Sequence, residues 1–304
     1  MNGWLDWRAI EAQNDWGLRE KSDAMGEVWN KGAEMWDTRW KHDLEFTARQ
    51  AAAIDVLPSD TVLDVCCGTG PLTMHVAPRV KEIIAFDYGR DMLATLERNA
   101  AERGLTNVRT LQGNWYSVEP GRELPVCDVA ITRWSPAQGD ILKFSRCARR
   151  RCYSLGSVTP DFAEGGFTQS GFWCRSTVDE SLNTTPRPCG RKYGFNVHFN
   201  LLYDAGANPE VTYLVDARTV TGASKSEVLE KIFGPIKGGK PDGGQGQGEG
   251  GEDDDDAKVA HRPGSPRGAS PFDRDIVHNA DGTWTFNYKH TMVVMSWDPN
   301  EVRL

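Results

Sequence analysis

The stretch Val62-Leu-Asp-Val-Cys-Cys-Gly-Thr-Gly-Pro-Leu-Thr-Met74 decides the fold of this chain. Val62–Val65 is short, mostly apolar and β-branched, which predicts a buried strand. Cys66–Gly70 is a run of small residues that predicts a tight turn, and the helix predicted from Pro71 tolerates proline in its first turn. Strand, glycine turn and helix begin a βαβ unit, in which the glycines admit a ligand close to the backbone and the helix offers free N–H groups to an anion.

The residue types of the turn discriminate between classes of ligand. A triphosphate-binding loop ends in Gly-Lys-Ser or Gly-Lys-Thr, and this turn holds no lysine. A dinucleotide fingerprint has three glycines, and Thr73 stands where the third would be. The pattern Asp-x-Cys-x-Gly-x-Gly from Asp64 resembles the first motif of the class I S-adenosylmethionine (SAM) methyltransferases. That resemblance implies that the glycine backbone lies along the methionyl part of SAM, with Asp64 organising the loop.

Further segments continue the resemblance in the order of the family. Ile83–Asp87 is predicted as a second strand, ending in an acid that can accept two hydrogen bonds from a ribose diol. Asp87–Leu93 is similar to the family pattern D-x-S-x-x-M-L, with Gly89 in the serine position. Asn107–Trp115 is predicted as a third strand, whose end holds the adenine in the family. Asn114 replaces the aspartate of many members, and its carbonyl oxygen can still accept a hydrogen bond from the adenine amine.

The resemblance therefore implies SAM as the cofactor and S-adenosylhomocysteine (SAH) as its product. Structural alternatives remain open, because glycine-rich turns also occur in α/β proteins without a cofactor and Asp87 can act as a backbone cap. Cys66 and Cys67 are interpreted as small buried packing residues. The residues carried over to the cofactor site are Asp64, Cys66, Gly68, Gly70, Asp87, Tyr88, Met92, Asn114, Trp115 and Arg133.

The same resemblance implies an α/β fold with a doubly wound, mostly parallel, seven-stranded Rossmann-like sheet. Cys127–Trp134 and Cys152–Val158 are predicted as the fourth and fifth strands, and Thr291–Trp297 as an antiparallel edge strand. The domains expected are an N-terminal Trp-rich helical cap at 1–47, a SAM-binding core at 48–236, a disordered Gly- and Asp-rich insertion at 237–270 and C-terminal strands at 271–304 that complete the sheet. An irregular, partly packed loop is expected at 159–190.

The N-terminal segment is rich in tryptophan. Helices are predicted around Glu20–Trp29 and over Glu34–Ala53, and helical spacing lets Trp29, Trp36 and Trp40 share one face. In the simpler interpretation this face packs against the sheet domain. In the functional interpretation, the segment is similar to the helical cap of small-molecule methyltransferases and closes over SAM and the acceptor. The acceptor-site candidates are Trp36, Arg39, Trp40 and Trp134.

Composition narrows the classes of partner. The net charge of -8 over 304 residues argues against broad nucleic-acid binding, although Arg146, Arg149, Arg150 and Arg151 form a local basic run. The seven cysteines include no C-x-x-C pair, so no metal site is predicted and the pattern fits a reducing cytosol. The sequence shows no signal-peptide pattern and no apolar run long enough to span a membrane, which predicts a cytoplasmic protein.

The resulting hypothesis is a SAM-dependent methyltransferase that transfers a methyl group by in-line displacement to a small, partly aromatic or apolar acceptor. Alignment in a dry pocket can supply much of the rate, and no residue is identified as a catalytic base. Arg133 indicates an anionic group on the acceptor, with a surface salt bridge as the alternative. Two other functions remain open: methylation of RNA or protein, and a non-catalytic SAM- or nucleotide-binding module with a Trp-rich partner-binding arm. The oligomeric state also stays open, a homodimer being one option.

Overall fold

A computed structural model of the chain describes residues 6–12, 22–41, 44–158, 195–233 and 276–303. The loop expected at 159–190 and the insertion expected at 237–270 lie outside these residues. The helices are α1 Trp7–Ala12, α2 Ser22–Lys41, α3 Leu44–Ala52, α4 Thr73–Val76, α5 Arg90–Glu102, α6 Ile141–Ser145, α7 Phe195–Asp204 and α8 Lys225–Phe233. The strands are β1 Thr61–Val65, β2 Glu82–Asp87, β3 Val108–Gln112, β4 Cys127–Arg133, β5 Ala148–Ser157, β6 Glu210–Gly222, β7 Ile276–His278 and β8 Trp284–Trp297.

The strands form a mostly parallel sheet in the order β3-β2-β1-β4-β5-β8-β6. β1 is parallel to both β2 and β4, while β3 and β5 extend the parallel part on either side. The chain therefore winds outward from β1 in one direction and from β4 in the other. Ligands of such sheets bind outside the carboxyl ends of the strands at this switch point, which directs attention to the residues that follow Val65 and Arg133.

Both faces of the parallel strands are covered, because successive residues of a strand point to opposite faces. Leu63 and Ile84 pack in one apolar cluster with Phe144 of α6, whereas Val62 and Ile83 pack in another. The second cluster includes Phe46 of α3 and Val76 of α4. This arrangement confirms the predicted doubly wound α/β fold.

The sheet is larger than predicted, with eight strands instead of seven. β8 is antiparallel to β5, as expected, but it lies one place inside the edge because β6 follows it in the sheet order. The predicted edge strand Thr291–Trp297 is the second half of the longer strand β8, which begins at Trp284. The extra strand is β7, which pairs with β8 through a turn at Gly282, where φ is +84°.

Several predicted boundaries were wrong. The two helices predicted around Glu20–Trp29 and over Glu34–Ala53 are instead the continuous helix α2 followed by the short helix α3. Gly32 does not interrupt α2, since buried Ala33, Asp37 and Trp40 continue the packed face beyond it. The third predicted strand ends at Gln112 rather than Trp115, and the fifth begins earlier than predicted, at Ala148.

The described residues separate into two compact units. The first comprises the chain up to Ala217 together with Lys289 onward, and it contains the parallel strands. The second, Arg218–Tyr288, has a small apolar cluster formed by Val228, Ile276 and Phe286. Among the helices described, none combines the length and the apolar character needed to cross a membrane.

Candidate active site

The glycine turn Cys66–Gly70 follows β1 at the switch point. Cys66, Gly68 and Gly70 all have positive φ, at 57°, 57° and 85°. A Cβ on Gly70 would lie 2.7 Å from Cγ of Leu96, so packing against α5 requires glycine there. A Cβ on Gly68 would meet no atom of the described residues within 4 Å. The turn is therefore closely packed behind Gly70 and open beside Gly68.

Asp87, at the end of β2, fixes the turn from the neighbouring strand. Its carboxylate accepts hydrogen bonds from the backbone N–H groups of Gly68 and Gly89, each at 2.8 Å. Burial raises the pKa of Asp87, and these backbone hydrogen bonds act in the opposite direction. A carboxylate has about four acceptor sites, so Asp87 can accept further hydrogen bonds from a ligand.

Asp64 lies inside the structure, one strand away from Asp87. Its Oδ2 atom accepts a hydrogen bond from the Thr73 hydroxyl at 2.6 Å, which ties β1 to the start of α4 across the turn. Burial raises the pKa of Asp64 to about 7; the Thr73 hydrogen bond lowers it, the Asp87 charge raises it and the Arg133 charge lowers it. With 2% of its surface exposed, Asp64 supports the turn from within.

Arg133 is the last residue of β4 and Trp134 follows it, on the other side of the switch point. The Arg133 guanidinium carbon lies 4.2 Å from the centroid of the Trp134 ring. Trp134 has φ of +46°, a left-handed conformation that a tryptophan rarely adopts. Both side chains are partly buried, and together they place a cation and an aromatic ring next to the carboxyl end of β1.

Hydroxyl groups join the ends of β1 and β4. The Thr132 hydroxyl donates to the Val65 carbonyl at 3.0 Å, and the hydroxyl oxygens of Thr132 and Ser135 are 2.5 Å apart. Burial raises the pKa of the Cys66 thiol well above its usual range, which keeps the thiol protonated. This environment agrees with a packing role for Cys66.

Tyr88 and Met92 continue the site from Asp87 into α5. The Tyr88 ring covers Gly26 of α2 so closely that a Cβ there would clash with it. Met92 is buried and packs under Gly89, whose added Cβ would lie 2.9 Å from the Met92 Cγ atom. Gly26 and Gly89 thus permit close packing around these two predicted cofactor residues.

Asn114 and Trp115 follow β3, where the sequence predicts adenine binding. The Asn114 carbonyl oxygen Oδ1 accepts a hydrogen bond from the backbone N–H of Tyr116 at 3.0 Å. Trp115 is 2% exposed within the core, and Lys143 Nζ lies 4.4 Å from its ring centroid. Trp115 therefore offers little free ring surface, and one lone pair of the Asn114 oxygen is already used.

The acceptor candidates of α2 lie in different environments. Trp40 is 6% exposed, packs with Leu93 and Leu96 of α5, and donates to Asp37 Oδ1 at 3.1 Å. Trp36 is half-buried, and its ring lies 6.3 Å from that of Trp29. Arg39 lies in α2, but its side chain is outside the described part of the structure. Trp40 is thus packed away from the face that Trp29 and Trp36 share.

Sequence reasoning missed a polar network beneath α2. The Asn99 side chain donates to Asp37 Oδ1 at 2.7 Å and to the Thr69 carbonyl at 3.3 Å, and accepts from Lys41 Nζ at 2.9 Å. A signal for it was present in the sequence, because Asn99 stands on the apolar face of α5, three residues after Leu96. A buried polar residue on such a face needs hydrogen-bond partners.

The basic run near β5 is engaged by carboxylates. Arg146 pairs with Glu119 at 3.1 Å, Arg149 with Asp128 at 3.6 Å, Arg150 with Asp60 at 2.5 Å and Arg151 with Glu210 at 2.8 Å.

Comparison with known proteins finds similarity over the segment that contains this site. Residues 62–138 match the sequence model of a methyltransferase domain. The chain is 36% identical over 61 residues to tRNA (uracil-5-)-methyltransferase homolog A of Mus musculus, covering 20% of this chain and 10% of that protein. It is also 36% identical over 68 residues to demethylmenaquinone methyltransferase of a Geobacillus species, covering 21% of this chain and 29% of that protein.

Among solved structures, the YcgJ protein from Bacillus subtilis is similar to this chain with a TM-score of 0.45 and 15% sequence identity. The similarity covers 85% of this chain and 98% of that one. The chain spans less than a third of the length of either curated relative named above. The matched segment contains the glycine turn, Asp87 and the end of β4, so this part of the chain is similar to a methyltransferase domain.

Proposed function

We propose that this protein is a SAM-dependent methyltransferase acting on a small, partly aromatic or apolar acceptor. The observation that carries the proposal is the open space beside Gly68, in a turn that Asp87 holds by the Gly68 N–H group. A glycine backbone with free space beside it and a buried carboxylate at the next strand end fit the methionyl and ribose parts of SAM. Asp87 retains acceptor sites for the ribose hydroxyl groups.

The other cofactor residues have different proposed roles. Asp64 keeps the turn in place through Thr73, and Cys66 acts through its backbone conformation. Asn114, which follows β3, is proposed to lie beside the adenine amine. Trp115 would support that region by packing from behind, since its ring is almost fully buried.

The chemistry requires alignment more than proton transfer. When bound, SAM supplies a methyl group on a sulfonium, which is already activated. The chain then has to orient the acceptor and exclude water. Arg133 and Trp134 are proposed to do this across the switch point, because a guanidinium pairs with an anionic group and an indole covers an apolar or aromatic one.

A small acceptor agrees with the charges of the structure better than RNA does. The four arginines of the basic run are each paired with a carboxylate, and the chain carries a net charge of -8. RNA methylation remains the second candidate, because several similar proteins are named as tRNA or rRNA methyltransferases.

Calorimetric titration with SAH tests the cofactor. We expect one binding site in the wild type and a rise of about 100-fold in Kd for Asp87→Ala, because the charge-assisted hydrogen bonds to Gly68 of the turn and to Gly89, and those to the ribose, are lost. Asp91→Ala is the matched control: this aspartate is four residues away and its exposed carboxylate pairs with Arg90. A wild-type protein that does not bind SAH contradicts the proposal.

Methyl transfer from labelled SAM to fractions of a cell extract tests the acceptor. We expect the label in the small-molecule fraction, with less of it after Arg133→Met. Label in the RNA fraction, lost on ribonuclease treatment, would support the second candidate instead. SAH binding without transfer to any fraction would favour the non-catalytic module.

A further inference from the structure

The polar network beneath α2 reaches the glycine turn. Asn99 uses all its hydrogen-bonding groups: its oxygen accepts from Lys41, and its amide group donates to Asp37 and to the Thr69 carbonyl. Asn99 and Thr69 are each 2% exposed, and Asp37 is 7% exposed. In this buried setting the hydrogen bonds are strong and costly to break. α2 is thus connected to the turn through one asparagine of α5.

Thr69 is the residue whose backbone orientation matters most for closing the turn. It stands between Gly68 and Gly70, both in the left-handed region. Because a peptide group is planar, fixing the Thr69 carbonyl also fixes the direction of the Gly70 N–H. That N–H closes the turn by donating to the Cys67 carbonyl at 3.1 Å. Asn99 therefore controls the orientation of the peptide group that closes the turn.

The turn is held from two sides by unrelated parts of the chain. Asp87 fixes the N–H of Gly68 from the sheet, and Asn99 fixes the carbonyl of Thr69 from α5, with Asp37 of α2 behind it. The space beside Gly68 lies between these two anchored peptide groups. A shift of either anchor would change the backbone that faces this space.

A second contact brings α2 to the other end of α5. The Asn30 side chain accepts a hydrogen bond from the backbone N–H of Asp91 at 3.1 Å, and Gly26 lies against the Tyr88 ring. Asn30, Asp37 and Trp40 contact α5 at helical spacing. Movement of α2 away from α5 would therefore remove the support that Asn99 gives to the turn.

We propose that Asp37 and Asn99 are positioning residues that couple the packing of α2 on α5 to cofactor affinity at the glycine turn. This inference rests on the proposed SAM site. By linkage, a ligand that needs the ordered turn stabilises the packed position of α2, and an unpacked α2 lowers the affinity for that ligand. Neither residue touches the reacting groups.

Hydrogen exchange of the wild-type protein with and without SAH tests the coupling directly. We expect SAH to slow exchange in residues 66–74 and also in α2, while α8 in the second unit stays unchanged. Slower exchange in the turn with no change in α2 would overturn the inference and leave the proposed function intact. Failure of SAH to bind the wild type would instead remove the proposed function and, with it, the premise of the coupling.

Substitutions test the positioning role. Asn99→Ala should raise the Kd for SAH by about tenfold or more, because the Thr69 carbonyl loses its side-chain partner. Asp37→Ala should do the same, and the double variant should be little worse than either single one, because both act through one network. Asp37→Asn keeps the Oδ1 acceptor for Asn99 and should remain within roughly threefold of the wild type.

The matched control is Thr38→Ala, since the Thr38 hydroxyl bonds only within α2, to the Glu34 carbonyl at 2.9 Å, among the described contacts. Thermal unfolding of each variant separates weaker binding from loss of the fold. SAH affinities of Asn99→Ala and Asp37→Ala equal to that of Thr38→Ala would refute the positioning role. If Asn99→Ala does not fold, the SAH affinity of Asp37→Ala and the hydrogen-exchange experiment test the positioning role.

Discussion

The glycine turn and helix α2 are joined through Asn99 of α5, yet their conformations arise from different kinds of interaction. The conformation of the turn depends on its own residues: Cys66, Gly68 and Gly70 have positive φ within five residues, and two of them are glycines. The conformation of α2 depends on distant parts of the chain, because the side chains that it buries contact α5 and the turn. The turn can therefore be read from residue types, whereas α2 can be understood only through the elements it contacts.

Gly70→Ala should be the most damaging change on the turn side. A methyl group there both forces φ of +85° on alanine and overlaps Leu96. Strain and overpacking together should lower the free energy of unfolding by about 4 kcal/mol. Denaturant unfolding measures this loss.

Gly68→Ala is the matched control for that change. The methyl group would enter open space, so we expect a loss of only about 1 kcal/mol from the left-handed backbone. SAH affinity should fall sharply in this variant even though the fold is retained, because the methyl group occupies the proposed cofactor space. Equal stability losses for the two glycine variants would contradict the packed and open sides assigned to the turn.

Trp40→Ala tests the α2 side. Removing this buried indole leaves a cavity against α5 and takes away one of the two hydrogen bonds that Asp37 Oδ1 accepts, so we expect a loss of about 3 kcal/mol. Trp36→Ala, on the half-buried face, should cost about 1 kcal/mol or less. If the two variants are equally stable by thermal unfolding, Trp40 is not the residue that anchors α2.

Glu11 of α1 provides a further example of a non-local interaction. Its Oε1 atom accepts the Ile141 N–H at 3.2 Å, and burial raises the pKa of Glu11 to about 7. The folded state then holds a proton that the unfolded state releases at a lower pH. Stability should fall as the pH rises between about 4.5 and 7, by roughly 1–2 kcal/mol.

Glu11→Gln keeps the acceptor and removes the titration. We expect this variant to lose less stability than the wild type as the pH rises from 5 to 7, and to match it near pH 4.5, where Glu11 is protonated in the folded state. Denaturant unfolding across this range provides the measurement. Parallel curves for both proteins would show that Glu11 does not cause the dependence.

The N-terminal helices show which features could not be predicted from the sequence. The pattern after Trp29 favoured a break in the N-terminal helix, but α2 continues because Ala33 is buried and Asp37 and Trp40 find partners on α5. Helical periodicity placed Trp40 with Trp29 and Trp36, whereas packing separates it from them. Which part of a broad apolar face is buried depends on the shape of the neighbouring helix, and this shape is absent from the local pattern.

The sequence by itself determined the parallel α/β core, the glycine turn and the acid at the end of β2. These features follow from apolar runs, from glycine's tolerance of positive φ and from the regular spacing of βα units. Tertiary structure alone decided that Trp115 is buried, that β8 lies inside the edge strand and that Asn99 joins α2 to the turn. Such facts depend on contacts between residues far apart in the chain, which no local pattern of residue types can specify.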